Sequence, residues 1–404
     1  MATTSFLYHT LRLEGYRHLR TEYLDGAVYH HVERHAHRRC CRGCGAQWYE
    51  LSMNGTFQRT FRALPVGRRP QFVVLHGHEQ SCSRCGLCQR EPIPFAAGKR
   101  RHLGAFARYV TELCQIAPIK HVAELLGVGW DLVKELFKEH LKRRLKKRKL
   151  KKIRYIAVDE FALRKGHRYM TVVLDLETGE ILHAHQGKDA QALIPFLNKL
   201  KRCGTRLEAV AIDMSEAYIN AVKTALPKVD IVHDPFHVVA LASKAIDETR
   251  RDMYRDLKGE QRQMIKGSRF LLLTGLENLK QSGLERLMAL MELNEPLYQA
   301  YLLKEDLRTF WNMPDAEQGG LFLDGWIQEA TATGIKHFVR LAKTLNEHRR
   351  DLLTYFKHRI STGPLEGLNN KIKVLKRQAY GFRDQEYFRL RLLFLHEATL
   401  AFPG

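Results

Sequence analysis

The chain has 404 residues, enough for two or three domains with buried cores. Lys and Arg number 66 against 44 Asp and Glu, and the resulting formal charge of +22 predicts binding to a polyanion. A hydrophobic fraction of 45% excludes wholesale disorder, and no apolar run approaches the roughly 18–20 residues of a membrane span. His9, Arg12 and Glu14 interrupt the segment where a signal peptide needs apolar sequence. We therefore expect a cytoplasmic protein with no membrane partner.

Six of the eight cysteines form two clusters, which define a predicted zinc-binding module over residues 1–100. Cys41-x-x-Cys44 and Cys82-x-x-Cys85 have the spacing of two knuckles that hold a structural Zn²⁺ through four thiolates. A hairpin built from 57–64 and 71–79 would close the loop between them. Free structural thiols are the alternative, and a disulfide framework is disfavoured in a reducing compartment. The competing metal ligands are Cys40, Cys88, His30, His31, His35 and His37.

Residues 101–152 are predicted to form a helix-turn-helix region. Over 119–144, apolar residues at helical spacing lie on both sides of Gly127, which would occupy the turn. The second helix of such a unit enters the major groove of DNA, although an ordinary helical hairpin would give the same pattern. The predicted buried positions are Val122, Leu125 and Leu126 before the glycine, and Val128, Trp130, Leu132, Val133 and Leu136 after it.

A basic run follows directly, with nine basic residues among the eleven at 142–152. Such a run is often a solvated tail, but here it adjoins a candidate recognition helix, and clustered cations bind phosphates strongly. We therefore predict that this region binds DNA. The residues assigned to that role are Lys142, Arg143, Arg144, Lys146, Lys147, Arg148 and Lys149.

After the basic run the pattern becomes that of an α/β domain. Alternating apolar segments predict five strands, two of them joined by a turn at 177–180, with a helix between the third and fourth. From 236 to 360 the pattern is helical throughout, and Trp311 and Trp326 are expected in a core rather than stacked on bases. One more helix is predicted after 361–364 and another at the end of the chain. The predicted strand segments are 153–161, 167–186, 207–214 and 229–236, and the helix between them is 189–201.

Three acidic residues have positions that suggest catalysis. Asp159 and Asp213 each end an apolar strand, and Glu366 begins a helix. A carboxylate at the end of a buried strand is costly unless a cation pairs with it. Two such acids on neighbouring strands, with one from a helix, can hold two divalent metals for in-line phosphoryl transfer, and oxygen ligands suit Mg²⁺ or Mn²⁺. Each acid alone could instead be a loop or cap residue.

Other carboxylates compete with these three. Glu160 follows Asp159 directly, but adjacent strand residues face opposite sides of a sheet, so only one of the two can join the site. Asp175 and Asp234 also end predicted strands. Asp234, which lies beside His233 and His237, is the strongest rival or auxiliary.

The helix that begins near Glu366 also carries a predicted DNA-binding face. Glu366, Asn370, Lys373 and Arg377 recur at helical spacing, which would place cations beside the metal-binding acid. A solvated basic helix is the alternative. The residues of this helix assigned to DNA binding are Lys371, Lys373, Lys376 and Arg377.

The chain resembles transposases of the insertion-sequence L3 family over nearly its whole length and in the same order. The matching stretches are 158–176, 211–218, 234–239 and 361–384, together with the two cysteine knuckles and the helix-turn-helix. The resemblance implies a DDE enzyme with an RNase H-like core, a mixed five-stranded sheet with helices, and Asp159, Asp213 and Glu366 as its triad. It also implies that an all-α insertion at 241–355 separates two parts of that core, 153–240 and 356–404.

The sequence therefore predicts a DNA transposase that binds the terminal inverted repeats of an insertion sequence and catalyses metal-dependent strand cleavage and strand transfer. Its expected partner is double-stranded DNA, both element ends and target, in the nucleoid. Acting on two ends at once would require a homodimer or a higher homo-oligomer. The alternatives are a structure-selective nuclease with an RNase H-like core and a non-catalytic DNA-binding regulator.

Overall fold

The computed structural model of the protein describes residues 6–96, 98–164, 168–187, 189–292, 294–379 and 381–397. The described chain divides into two compact units, one up to Lys147 and one from Arg148 to Glu397. Within the described ranges, no helix has both the length and the apolar character needed to cross a membrane.

The first unit combines a five-stranded sheet with a group of helices. The strand order is β1-β2-β4-β3, and β5 pairs with the end of β4. All neighbouring strands are antiparallel except β2 and β4. Its elements are α1 (Phe6–His9), β1 (Tyr16–Leu24), β2 (Ala27–Arg34), β3 (Leu51–Val66), β4 (Arg69–Cys82), β5 (Cys88–Arg90), α2 (Gly104–Ile116), α3 (Ile119–Leu126) and α4 (Trp130–Lys146), with short 3₁₀ turns at Ala36–Arg38 and Trp48–Glu50.

The long hairpin of β3 and β4 includes and extends the predicted one. Its tight turn contains Gly67 at φ 58°, a left-handed conformation that glycine adopts without strain. At the open end, Leu51 pairs with Cys82. The end of β4, where the second cysteine knuckle begins, therefore lies beside the start of β3. The start of β3 follows the first knuckle closely in sequence.

Helices α3 and α4 are the two predicted helices, joined at Gly127, whose φ of 59° ends α3. Two of the predicted buried positions are wrong: Leu125 is 67% exposed and Trp130 is 47% exposed. The buried face of α3 instead uses Ile119, Val122, Ala123 and Leu126, because these recur at three- and four-residue steps.

The second unit is built on a mixed five-stranded sheet with the order β10-β9-β6-β7-β8. Strands β6, β7 and β8 form an antiparallel meander, while β9 and β10 lie parallel to β6 and to each other. The predicted strand at 167–186 begins at a residue outside the described ranges and turns where predicted. The strands are β6 (Tyr155–Arg164), β7 (Arg168–Asp175), β8 (Ile181–Gln186), β9 (Ala209–Ile212) and β10 (Asp230–His233).

One face of this sheet is covered by α5 and α6. Ile156 and Val158 of β6 pack with Phe196 of α5 and Tyr218 of α6 in one buried cluster. Complete burial of such apolar side chains contributes about 1.5–3 kcal/mol each. Because side chains alternate along a strand, Asp159 faces the opposite side of the sheet from Val158.

The remaining part of the second unit is helical, as predicted. The segment between β10 and α16 contains no strand among its described residues. The helices of the unit are α5 (Ala190–Arg202), α6 (Glu216–Ala225), α7 (Pro235–Asp256), α8 (Gly259–Ile265), α9 (Arg269–Leu273), α10 (Gln281–Glu292), α11 (Glu295–Thr309), α12 (Ala316–Ala332), α13 (Lys336–Glu347), α14 (Arg349–Leu353), α15 (Tyr355–His358), α16 (Gly363–Gln378) and α17 (Gln385–Leu393), with 3₁₀ turns at Leu276–Asn278, Phe310–Asn312 and Leu395–Glu397.

This helical segment has its own core, in which α7, α11, α12 and α13 contribute most of the buried side chains. Trp326 is buried there and donates its indole N–H to the carbonyl oxygen of Leu303 at 2.9 Å. Trp311 is half-buried against the same core and contacts Tyr355 edge-on. Both tryptophans therefore occupy the core positions predicted for them.

Candidate active site and cysteine cluster

The first unit brings Cys41, Cys44, Cys82 and Cys85 together. Their sulfur atoms all lie within 4.8 Å of one another, and two Sγ–Sγ distances, Cys41 to Cys85 and Cys44 to Cys82, are 3.6 Å. Four thiolates about 2.3 Å from a tetrahedral Zn²⁺ would lie roughly 3.8 Å apart. All eight cysteines are unbridged. The donor set and its spacing fit a structural zinc ion that has no open coordination position.

The two knuckles have the same backbone design. Gly45 donates its N–H to the carbonyl of Cys41 at 3.0 Å, and Gly86 donates to Cys82 at 2.9 Å. Both glycines have positive φ, 75° and 71°. Backbone N–H groups directed at the Cys41 sulfur, first that of Cys44, lower the pKa of this thiol, whereas the neighbouring sulfurs of Cys44 and Cys41 raise the pKa of Cys85. The cluster therefore does not hold four thiolates unless a cation neutralises them.

The competing ligands lie elsewhere. His30 is hydrogen-bonded to Gln71 at 2.7 Å, and His31 contacts His76 at 2.9 Å. The Cys88 sulfur lies 3.1 Å from the Ser81 hydroxyl. The remaining three candidates, Cys40, His35 and His37, are likewise absent from the cluster.

The residues of the basic run differ in their exposure to solvent. Lys142, Arg143, Arg144, Lys146, Lys147 and Lys149 are exposed. Arg148 differs, because its guanidinium donates to the carbonyl oxygens of Ile181, at 2.6 Å, and Leu393 and lies over the ring of Phe394. The structure thus uses Arg148 inside the second unit, while six other cations of the run face solvent.

Two of the predicted catalytic acids are neighbours on the sheet. Tyr155–Ala157 of β6 pair in parallel with Ala209–Ala211 of β9. Continuing that register by two residues places Asp213 beside Asp159. His233 of β10 pairs with Ile212 of β9, so Asp234 falls at the same level as Asp213. The register therefore brings the backbone positions of three acidic residues to one level, within β6 and just beyond the ends of β9 and β10.

Asp159 does not end its strand as predicted. Strand β6 continues to Arg164, because β7 goes on pairing with it beyond the point where β9 stops. From Asp159 onward, β6 therefore has a pairing partner on its β7 side only. Asp159 is left unpaired on the other side, where the chain of β9 leaves the sheet at Asp213. Asp213 itself accepts a hydrogen bond from the Ser215 N–H at 3.1 Å, just before α6 begins.

The surroundings of Asp159 destabilise the ionised form of its carboxyl group. Burial raises the pKa of the Asp159 carboxyl group, the charge of Asp213 raises it further, and the Glu160 N–H and His237 act in the opposite direction. The Asp159 Oδ1 accepts the Glu160 N–H at 2.7 Å. A site that holds two carboxylates at this cost gains from a cation placed between them.

Glu366 lies in the first turn of α16 and is exposed. Three residues later, Asn369 donates its side-chain N–H to Asp159 Oδ2 at 3.3 Å. Residues three apart share a helix face. The face of α16 that carries Glu366 therefore packs against Asp159. Among the described residues, the Glu366 side chain itself makes no hydrogen bond or ion pair.

The basic residues of α16 fall into two groups. Lys371, Lys373 and Arg377 are exposed, and Lys373 donates to Asn370 at 3.2 Å. Lys376 is half-buried and donates to the carbonyl oxygens of Ala162 and Leu163 on β6. Lys376 thus attaches α16 to the sheet.

Asp234 has a structural role that the sequence left open. It is fully buried and begins α7, where its Oδ2 accepts the His237 N–H at 3.3 Å. Its Oδ1 accepts the N–H of Thr362 at 2.8 Å, immediately before α16, and its own N–H donates to Ile212 at 3.0 Å. The Asp234 carboxylate therefore fixes the starts of α7 and α16, and its backbone N–H attaches the same residue to the end of β9. The neighbouring His233 is completely buried.

Sequence analysis missed Asn369. The helical spacing could have identified it, because residue 369 lies three positions after Glu366 and therefore on the same helix face. The prediction instead used the spacing of four, which leads to Asn370. Glu160, in contrast, behaves as the alternation of side chains predicted. It acts on the hydroxyl of Tyr218, whose pKa is raised by burial and also by Glu160, on the α6 face of the sheet.

Comparison with known proteins identifies the family of the chain. Residues 156–392 match the family model of ISL3-type transposases. The chain is 34% identical over 370 residues to the transposase of insertion sequence IS1001 from Bordetella parapertussis, covering 90% of this chain and 89% of that protein. It is 30% identical over 399 residues to the IS1557 transposase of Mycobacterium tuberculosis, covering 91% and 88%. One solved structure, titled "Drosophila P element transposase strand transfer complex", covers 73% of this chain and 93% of that chain at 11% identity and a TM-score of 0.35.

These similarities define a DNA transposase, as the sequence predicted. The chain belongs to the insertion-sequence L3 family of transposases.

Proposed function

We propose that the second unit carries an RNase H-like catalytic core of the DDE type, with Asp159, Asp213 and Glu366 as the metal-binding triad. The observation that carries the proposal is the register of the sheet, which sets Asp159 beside Asp213, with the Glu366 face of α16 held over Asp159 through Asn369. The strand order β10-β9-β6-β7-β8, with β7 antiparallel to its neighbours, supports the proposed core. On this proposal, 153–240 and 356–404 form the core, and 241–355 is an all-α insertion.

The proposed reaction is hydrolysis of a phosphodiester bond at the element end, followed by attack of the freed 3′-hydroxyl on target DNA. Two divalent cations of the Mg²⁺ or Mn²⁺ class would supply Lewis-acid charge for the nucleophile and the leaving oxygen. Asp159 and Asp213 would hold the cations from the sheet, and Glu366 would contribute the third carboxylate from the helix. Asn369 would orient the Asp159 carboxylate by donating to its Oδ2.

Recognition of the DNA is assigned to the basic surfaces and to the first unit. Helix α4 would enter the major groove at the terminal inverted repeats, and the exposed cations from Lys142 to Lys149 would bind phosphates. Lys371, Lys373 and Arg377 follow Glu366 on α16 and would hold the DNA backbone beside the triad. The cysteine cluster would hold a zinc ion that stabilises the first unit. Assembly of two element ends would take a homodimer or a larger homo-oligomer.

The test is strand cleavage and strand joining on DNA that carries the element ends, with Mg²⁺, for the wild type and Asp213→Asn. We expect end binding to survive in the variant and both reactions to fall by at least about a thousandfold, because one metal-binding carboxylate is lost. Glu160→Gln is the matched control, since this carboxylate adjoins Asp159 but faces the opposite side of the sheet, and it should retain activity.

Two results would refute the proposal. Wild-type protein that binds the ends but never cuts them with any divalent metal would indicate a DNA-binding regulator. Cleavage without joining under all conditions would indicate a structure-selective nuclease.

A further inference from the structure

A second group of metal-binding side chains lies in the second unit, apart from the proposed triad and the cysteine cluster. It contains His233 at the end of β10, His348 between α13 and α14, and Asp351 in the first turn of α14. One ligand atom from each residue lies within 4.8 Å of the other two. Helix α14 packs on β10, so the group joins the helical segment to the edge of the sheet.

The local sequence explains why these side chains converge. His348 and Asp351 are three residues apart at the start of a helix, a spacing that places both on one face. His233 is the last residue of β10 and projects from the sheet towards that face, and its ring meets the His348 ring edge-on at a centroid distance of 5.1 Å. Two elements thus supply three ligands from a preformed geometry.

The most informative member is His233. Its side chain is completely buried beside the backbone carbonyl of Asp213, and neither ring nitrogen makes a hydrogen bond of normal geometry among the described residues. A buried polar group without a well-formed hydrogen bond is destabilising, so a histidine in this position requires an explanation. A metal ion between His233, His348 and Asp351 would engage one ring nitrogen directly.

The ligand chemistry selects the class of metal. Two imidazoles and one carboxylate suit Zn²⁺ and similar first-row ions, whereas Mg²⁺ prefers an all-oxygen site. Ligand atoms bound to zinc at about 2.0–2.1 Å lie roughly 3.3 Å apart, so the side chains would need to close by about 1.5 Å or less. Three protein ligands leave a fourth position for a water molecule.

Asp351 also accepts an ion pair from Lys223 at 3.3 Å. The Lys223 side chain is 58% exposed, and an exposed ion pair of this kind adds little to stability. The lysine can therefore swing into solvent at little cost when a cation takes its place. The competition predicts that metal binding frees Lys223 without loss of the fold.

We infer that His233, His348 and Asp351 form a second transition-metal site, of the Zn²⁺ class, that fastens the helical segment to the end of β10. That end leads directly into Asp234, which fixes α7 and α16. The ion would thus stabilise the framework that positions α7 and α16 around the proposed active site.

The test counts zinc on the full-length protein and requires no DNA. After a wash with a weak chelator, element analysis should find two zinc ions per wild-type chain and one in His348→Asn. Cys44→Ser should also retain one ion, because it removes only the cysteine site. His185→Asn is the control, since this histidine is exposed on β8, and it should retain two.

A second variant guards against simple misfolding. Asp351→Asn keeps the side-chain shape, and we expect its affinity for the second zinc ion to fall at least tenfold while its far-ultraviolet spectrum stays unchanged. Cobalt substitution separates the two sites, because only the cysteine site gives thiolate charge-transfer bands. A wild type that holds a single ion, lost entirely in Cys44→Ser, would overturn the inference. So would a His348→Asn protein that still holds two.

Discussion

Replacing Asp159 by asparagine should stabilise the protein in the absence of Mg²⁺. The register places Asp159 and Asp213 on adjacent parallel strands, which lie about 4.8 Å apart. Burial is the main cause that disfavours the Asp159 charge, and Asp213 adds repulsion. Two unit charges at that strand spacing would repel by at most about 3 kcal/mol at an effective dielectric constant near 20. Asparagine keeps the shape but removes one charge, and the loss of charge-assisted hydrogen bonds offsets about 1 kcal/mol of the gain. The expected net gain is about 1–2 kcal/mol, or roughly 2–8 °C in the melting temperature.

Mg²⁺ should reverse the order of stability. A cation that binds only the folded wild type at a hundred times its Kd adds about 2.7 kcal/mol, whereas the variant has lost a ligand and should gain little. Differential scanning calorimetry with and without Mg²⁺ measures both effects, and Glu160→Gln should respond to Mg²⁺ as the wild type does. The reasoning fails if Asp159→Asn is no more stable without Mg²⁺ and still responds to it like the wild type.

The same reasoning gives a pH dependence with a defined sign. Because burial raises the pKa of Asp159 above its ordinary value of 3.8, the folded protein binds this proton more tightly than the unfolded chain does. The stability contributed by the protonated carboxyl is complete below the unfolded value and is lost as the pH rises through the folded value. The advantage of Asp159→Asn should therefore be largest near neutral pH without Mg²⁺ and shrink as the pH is lowered. This trend adds a second check on the same pair of proteins.

Two further predictions concern the first unit and the basic run. Cys44→Ser should release the zinc of the cysteine cluster and lower the unfolding temperature of the first unit. Cys88→Ser, outside the cluster, should leave both unchanged. Mass spectrometry measures the zinc content and calorimetry the unfolding temperature. Arg143→Ala should weaken DNA binding equally on all sequences and reduce the slope of log Kobs against log salt by about 0.9 for the lost phosphate contact, as measured by fluorescence anisotropy. Arg148→Ala should leave that slope unchanged and lower the melting temperature, because its guanidinium is bound to backbone carbonyls; the opposite result would place Arg148 on the DNA.

Local patterns in the sequence were sufficient to predict the secondary structure near the proposed site. Apolar alternation located all five strands of the second unit, and the C-x-x-C spacing identified the cysteines that the structure brings together. These features depend on residues close together in the chain, which is why one sequence can reveal them.

The contacts between distant segments could not be predicted in the same way. The strand at Asp159 continues because β7 supplies partners from the far side of a turn, and no pattern within β6 indicates where β9 will stop. The contact of Asn369 with Asp159 joins residues 210 positions apart. Likewise, nothing around Arg148 distinguishes it from the other cations of its run, because its partners lie at Ile181 and Leu393.

The three-way bonding of Asp234 has a consequence for how the helical segment could change in evolution or by design. The segment leaves the sheet where the Asp234 carboxylate accepts the His237 N–H and returns where it accepts the Thr362 N–H. Lys357 and His358, shortly before Thr362, also pair with Asp230, the first residue of β10. Both ends of the segment are thus attached to the sheet at one point. The size and packing of the segment could therefore change while α16 begins at the same place, provided that the attachments at Asp234 and Asp230 and the group of His233, His348 and Asp351 are kept.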